Sequence, residues 1–185
     1  EILKAHGHEV VPFSIKNSRN QPTPYEKYFL ESVDDEVRYD KSTKSPAKII
    51  KSFSRMFYSL EAKRKFRRFL EDTRPDIIYI IHWHNKISPS ILDVARNMGI
   101  KVVHRLSDFQ YVCPNALCYT RGHICEQCIK GNSLACIKQR CVLDSALLSA
   151  IKLTAMKFHN LIGVRNKIAA FVVPSAFTIS LVTKG

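Results

Sequence analysis

Short apolar runs alternate along this chain with longer stretches whose apolar residues recur every three or four positions. The opening Glu1-Ile2-Leu3-Lys4-Ala5-His6-Gly7-His8 reads as the last turn of a helix, with Gly7 just past its end. Glu9-Val10-Val11-Pro12-Phe13-Ser14-Ile15 predicts a strand. From Lys16 to Lys44 the chain is polar, with Pro22, Pro24 and an acidic Asp34-Asp35-Glu36. That segment predicts a long excursion with a short helix near Tyr25–Leu30. Ser45-Pro46 starts a helix, a hydroxyl cap followed by proline in the first turn. Ile49, Ile50, Phe53, Met56, Phe57 and Leu60 follow at helical spacing. The stripe loses phase near Glu61 and resumes at Phe66, Phe69 and Leu70, so one basic helix is expected from Pro46 to Asp72, closed by Pro75. Its other side carries Lys48, Lys51, Arg55, Lys63, Arg64, Lys65, Arg67 and Arg68.

Asp76 to Ile81 is an unbroken apolar run, the pattern of a strand buried on both faces of a parallel sheet. Ser88-Pro89 starts a helix with Ile91, Leu92, Ala95 and Met98 inside, and Gly99 ends it. Ile100 to His104 is the next strand. A cysteine-rich stretch follows, then a helix over Asp144 to Leu161, a strand over Ala169 to Val173, and a last helix capped by Ser175. Strands alternating with helices predict an α/β fold with a doubly wound parallel sheet. The length suits one domain, residues 1–185, with a cysteine-rich loop at 113–141 inside it. Such sheets bind ligands beyond the carboxyl ends of their strands. Here those ends carry His82-Trp83-His84-Asn85, His104-Arg105-Leu106-Ser107-Asp108 and Pro174-Ser175.

Composition narrows the picture. Nothing approaches the roughly 18–20 apolar residues of a membrane span, and no secretory leader is visible. The first residue is Glu rather than Met, and the end at Phe177 to Gly185 stops as if cut; a piece of a longer protein is expected. The net charge of +13 implies attraction to an anionic partner: nucleic acid, an acidic membrane surface or a phosphorylated ligand.

The six cysteines are spaced Cys-x4-Cys-x6-Cys-x2-Cys-x7-Cys-x4-Cys, from Cys113 to Cys141. Cys125-x-x-Cys128 is a zinc half-site, because two-residue spacing lets both thiolates face one ion. Its partners would come from Cys113, Cys118, Cys136 and Cys141. A loop this poor in apolar residues gains order from such a clip. Disulfides, a redox-active pair and an iron–sulfur cluster compete with zinc on spacing alone.

Four segments in order resemble the N-terminal half of a family 4 glycosyltransferase of the GT-B type. Gly7-His8-Glu9-Val10 is similar to the junction after that family's first helix. Arg74-Pro75-Asp76-Ile77-Ile78-Tyr79-Ile80-Ile81-His82 resembles its "PD, apolar, H" strand. Lys101 to Asn115 resembles the strand and turn written with "HD" and then "CP", with Ser107 in place of the usual histidine. Phe171-Val172-Val173-Pro174-Ser175 resembles the last strand of the half. The resemblance spans most of the chain outside Lys16 to Lys44. The family's first strand and glycine-rich loop, and its second Rossmann-like domain, are not within these residues.

The resemblance implies the acceptor-binding, Rossmann-like half of a retaining glycosyltransferase, inactive without its C-terminal domain. It implies a nucleotide-sugar donor, a glycan or lipid-linked acceptor in cell-surface polysaccharide or glycolipid synthesis, and no catalytic metal. Asp108 is the expected catalytic residue, orienting or deprotonating the acceptor hydroxyl; an aspartate capping a turn is the competing reading. His82, His84, Arg105, Ser107 and Ser175 are the expected substrate-binding residues, although Ser175 also reads as a helix cap and Arg105 as a surface arginine. The resemblance further selects Cys113, Cys125, Cys128 and Cys141 as ligands of a closed, structural zinc site. A cytoplasmic location is expected, with the basic helix meeting an anionic membrane peripherally. Two alternatives stand beside this reading: a basic zinc-stabilised module binding nucleic acid, and a catalytically degenerate scaffold. The buried parallel strands speak against the nucleic-acid module, since compact zinc modules use far shorter chains.

Overall fold

The computed structural model describes residues 2–32 and 46–184. The chain divides into two compact units, one of residues 1–78 and 83–101, the other of residues 79–82 and 102–185.

The first unit is helical. A short helix α1 (Ile2–Ala5) ends before Gly7, whose φ of 82° is the left-handed value a helix exit requires. A 3-10 turn at Pro24–Tyr28 is capped by Thr23. The expected strand at Glu9 to Ile15 does not form. Only Ile15 makes a β-bridge, to Leu30, through Lys16 N–H donating to Leu30 O (2.8 Å) and Leu30 N–H donating to Ser14 O (3.0 Å). Phe13 explains the preference: its ring lies 4.8 Å from Phe66 and 5.3 Å from Phe69, so this segment is held by aromatic packing instead of a ladder.

The single helix expected from Pro46 to Asp72 is two helices, α2 (Pro46–Phe57) and α3 (Leu60–Thr73). The break falls where the apolar stripe changes phase. A continuous helix would turn one of its two stripes toward water. Ser59 adopts extended backbone there, and its Oγ accepts from Ala62 N–H at 3.2 Å, capping α3. Phe66, Phe69 and Leu70 are buried, and α3 packs on α4 (Ser90–Asn97). A buried knot of hydroxyls secures the start of both helices. Ser88 Oγ accepts from Ser59 N–H (2.8 Å) and Ser90 N–H (3.3 Å), while Ser90 Oγ donates to Ser59 O (2.7 Å). The acidic cluster at Asp34 to Glu36 and the expected cap Ser45 lie outside the described residues.

A parallel sheet has the order β1 (Ile77–Ile80), β2 (Lys101–Arg105), β5 (Ala170–Val172), and the second unit holds the carboxyl-terminal part of β1, β2 from Val102 on, and all of β5. The α/β class is therefore borne out. β2 and β5 run in register, Val103 opposite Ala170 and Arg105 opposite Val172. β1 is not buried on both faces as its unbroken apolar run suggested. Ile77 and Tyr79 are exposed while Ile80 is buried, the period-two pattern of a strand covered on one side. Between β2 and β5 lies a small hairpin, β3 (Tyr119–Thr120) and β4 (His123–Ile124), turning through Arg121-Gly122. Both turn residues have positive φ, the backbone a two-residue hairpin favours. Then come α5 (Ala135–Lys138) and α6 (Ala146–Leu161), which pack together, and α7 (Ala176–Val182) after β5. Ser145 caps α6, and Ser175 caps α7. Among the described residues, no helix is long and apolar enough to cross a membrane.

Two substitutions test the first unit by urea denaturation. Phe66→Ala removes the ring at the centre of the aromatic packing and should cost about 3–5 kcal/mol. Ser88→Ala strands the buried Ser59 N–H and should cost about 1–3 kcal/mol.

Candidate functional site

The strand ends of the second unit bring part of the predicted set together. Leu106 N–H donates to Val172 O at 2.9 Å, extending the β2–β5 ladder one step. Beyond it the chain leaves the sheet at Ser107, which is exposed, and Asp108, which is half-buried. Asp108 bends the backbone on itself: Oδ1 accepts from Gln110 N–H at 3.0 Å, and Oδ2 accepts from the Gln110 side-chain amide at 2.5 Å. The turn-capping reading of Asp108 thus holds. The capping also fixes the carboxylate in one orientation. His82, just past β1, places Nδ1 3.7 Å from Asp108 Oδ2. This distance makes an ion pair when the ring is protonated and is too long for a hydrogen bond. Both side chains keep access to solvent, His82 at 42% exposure and Asp108 at 27%.

Lys152 of α6 feels the charge of the same carboxylate, and sequence reasoning missed it. Burial pushes its ammonium down to about 8, against the favourable field of Asp108. The signal available in the sequence was a lone lysine between Ile151 and Leu153, in a helix apolar on most sides. A fixed carboxylate and an imidazole thus meet at the carboxyl ends of parallel strands, and the carboxylate acts through space on the Lys152 ammonium. Such a group can bind a hydroxyl and an adjacent anionic group.

The other predicted residues have different surroundings. His84 belongs to the first unit, where it is buried with its ring stacked 3.7 Å from that of Trp83. Trp83 itself is fully buried. Arg105 is exposed at the end of β2. Ser175 is exposed, but its Oγ accepts from Thr178 N–H at 3.2 Å, the work of a helix cap.

Behind the turn stands a buried polar group. His104 Nδ1 and the Tyr111 hydroxyl share a hydrogen bond of 2.8 Å. Arg165 donates to Tyr111 O at 2.6 Å and lies over the Tyr111 ring. Burial pushes the His104 imidazole down to about 4, with the Asp108 charge opposing the shift and that of His82 adding to it. The ring is therefore neutral at pH 7. Phe109 meets Phe177 of α7 edge-on, 6.4 Å between centroids.

All six cysteines are free thiols gathered in the loop that follows. Cys113 Sγ donates to Asn115 Oδ1 at 2.9 Å and lies beside Cys118. Burial, reinforced by neighbouring thiols, pushes Cys118 and Cys128 up to about 12, and raises Cys136 and Cys141. Among the described residues, no three or more His, Cys, Asp or Glu side chains converge as a group that could hold a metal ion.

No protein-family model, no curated protein and no solved structure matches the chain.

The His104 shift carries a pH dependence with a definite sign. A histidine whose folded value lies below its ordinary 6.5 disfavours its charged form in the folded state. The stability it contributes is complete above 6.5 and is lost as pH falls toward about 4. Urea midpoints should decline across that window. His104→Gln should flatten the slope in the upper half of it, where carboxylates have scarcely begun to titrate.

Proposed function

We propose that this chain is the acceptor-side half of a retaining glycosyltransferase, a doubly wound GT-B domain acting on a nucleotide-sugar donor with a second domain. One observation carries the reading: the His82–Asp108 pair at the ends of neighbouring parallel strands, its carboxylate within the electrostatic reach of Lys152. Ligands of open α/β sheets collect at such strand ends. The order of segments along the sequence supports the same assignment.

In this reading Asp108 receives the acceptor hydroxyl. Its bonds to Gln110 hold the carboxylate in place, so little reorganisation is needed as the hydroxyl loses its proton. His82 hydrogen-bonds the same sugar. Lys152 meets an anionic group, such as the phosphate of a lipid-linked acceptor or the carboxylate of an acidic sugar. Arg105 and Ser107 are exposed at the strand end and contact the substrate from there. His84 is buried and supports the segment through Trp83, and Ser175 serves as a cap. The solvent side of α3 bears Arg64, Arg67 and Arg68, and α2 exposes Ile50 and Phe53. Cations beside exposed apolar side chains suit peripheral contact with an anionic membrane.

The test is a donor-panel assay on the full-length protein. Wild type should transfer or hydrolyse at least one nucleotide sugar. Asp108→Asn preserves the turn and should lower kcat about 100-fold or more, with little change in Tm. His82→Ala should raise KM more than it lowers kcat. A wild type inert to every donor, or an Asp108→Asn variant as active as wild type, overturns the assignment.

A further inference from the structure

The β3–β4 hairpin sets an exposed tip on a fixed base. Thr120 is buried, whereas Leu117, Tyr119 and Ile124 are 64%, 50% and 75% exposed. Tyr119 lies directly opposite Ile124, so the two side chains stand on one face of the hairpin, about 5 Å apart at Cβ. Hydrogen bonds hold both strands from below. Cys125 N–H donates to Cys118 O at 2.9 Å, and the Asn115 side-chain amide donates to Tyr119 O at 2.9 Å. Asn115 Oδ1 accepts from Leu117 N–H, also at 2.9 Å. The fold thus keeps these apolar groups in water.

The tip adds a cation. Arg121 and Gly122 have φ of 48° and 83°, the pair of left-handed residues that a two-residue hairpin turn needs. Asn, Asp or Gly meets the first of those positions with least strain, yet an arginine occupies it. Its side chain is exposed, and among the described residues no carboxylate pairs with it. The surrounding loop is basic as well. Lys130, Lys138 and Arg140 are exposed, and Glu126, the sole acid between residues 113 and 141, is paired with Lys130 at 3.7 Å.

Apolar side chains around an arginine match the boundary of an anionic bilayer, where acyl chains and lipid phosphates lie within one side chain's reach. A protein partner is a poorer match. The tip spans only residues 117–124, against the roughly 20–30 residues a side of a stable protein interface. Strands of two residues are also too short to recruit another by strand addition. We propose that the β3–β4 hairpin is a lipid anchor, with Leu117, Tyr119 and Ile124 entering the headgroup region of an anionic bilayer and Arg121 pairing with lipid phosphates. Tyrosine suits that depth, because its ring is apolar and its hydroxyl stays wet. The anchor lies within the second unit. It rests neither on the glycosyltransferase reading nor on the arginines of α3.

The test is sedimentation of the full-length protein with vesicles of phosphatidylcholine, with and without phosphatidylglycerol. Wild type should bind the anionic vesicles and bind less tightly as salt is raised. The Tyr119→Ser, Ile124→Ser double variant should bind them at least about 10-fold more weakly. Arg121→Gln should weaken binding about fivefold at low salt, with the difference closing at high salt. Ile124→Trp keeps an apolar side chain at the tip, and its emission should shift to the blue on adding anionic vesicles, beyond any change in wild type. That readout tests the anchor even where the double variant fails to fold. Four outcomes overturn the proposal: a wild type that ignores anionic vesicles, a folded double variant that binds them as wild type does, an Ile124→Trp emission that vesicles leave unchanged, or a hairpin whose substitution abolishes self-association or oligonucleotide binding with vesicle binding intact.

Discussion

The second unit depends on the level, in-register pairing of β2 with β5. Arg105 sits opposite Val172, and the ladder closes with Leu106 N–H on Val172 O. Parallel pairing forces both strands to end at the same rim, so whatever follows them is delivered to one place. For β2 that is Ser107 and Asp108; for β5 it is Pro174 and Ser175. The His82–Asp108 pair at this rim comes from where the sheet stops.

Orientation at the rim comes from a second layer of constraint. Asp108 is pinned by Gln110, and the turn that follows is backed by the His104–Tyr111 hydrogen bond and by Arg165 on the Tyr111 carbonyl. A neutral buried imidazole suits this task. It supplies a hydrogen-bonding nitrogen without bringing a charge into the low-dielectric interior. Arg165 stacks its guanidinium on the ring it also holds by the backbone, so one side chain restrains both ends of Tyr111. The turn beyond β2 is thereby stiffened from beneath while the carboxylate keeps access to solvent.

The first unit solves a different problem, how to start two helices side by side without leaving polar groups buried and unmet. Three serines do it. Ser59, Ser88 and Ser90 are each about fully buried, and each hydroxyl serves a backbone group of a neighbouring segment or of its own helix. Small hydroxyls fit here because they satisfy N–H and C=O groups at little cost in volume. Aromatic rings then fill the rest: Phe13 meets Phe66 and Tyr28 meets Phe69 edge to face, Phe13 is tilted against Phe69, and Phe66 stacks on Phe69.

The sequence by itself determined the features set within a few residues of one another. The serine cap at Ser175 could be read because a cap bonds to an N–H three positions on. The helix end before Gly7, the β2 strand and the α/β rhythm were legible for the same local reason, and so was Asp108 as a turn former. The phase change near Glu61 was visible too, although its meaning as a break between α2 and α3 emerged only with Ser59 buried against Ser88. Tertiary structure decided the rest. Whether Val10 to Ile15 became a strand depended on a partner strand, and Phe13 found α3 instead. Whether Ile77 and Tyr79 were covered depended on what packed against each face of β1. His84 was buried, His82 was left open beside Asp108, and Lys152 was drawn in from a distant helix. Hydrogen bonds near in sequence are written in local order, whereas burial and electrostatic environment arise only when segments far apart along the chain exclude water from one another.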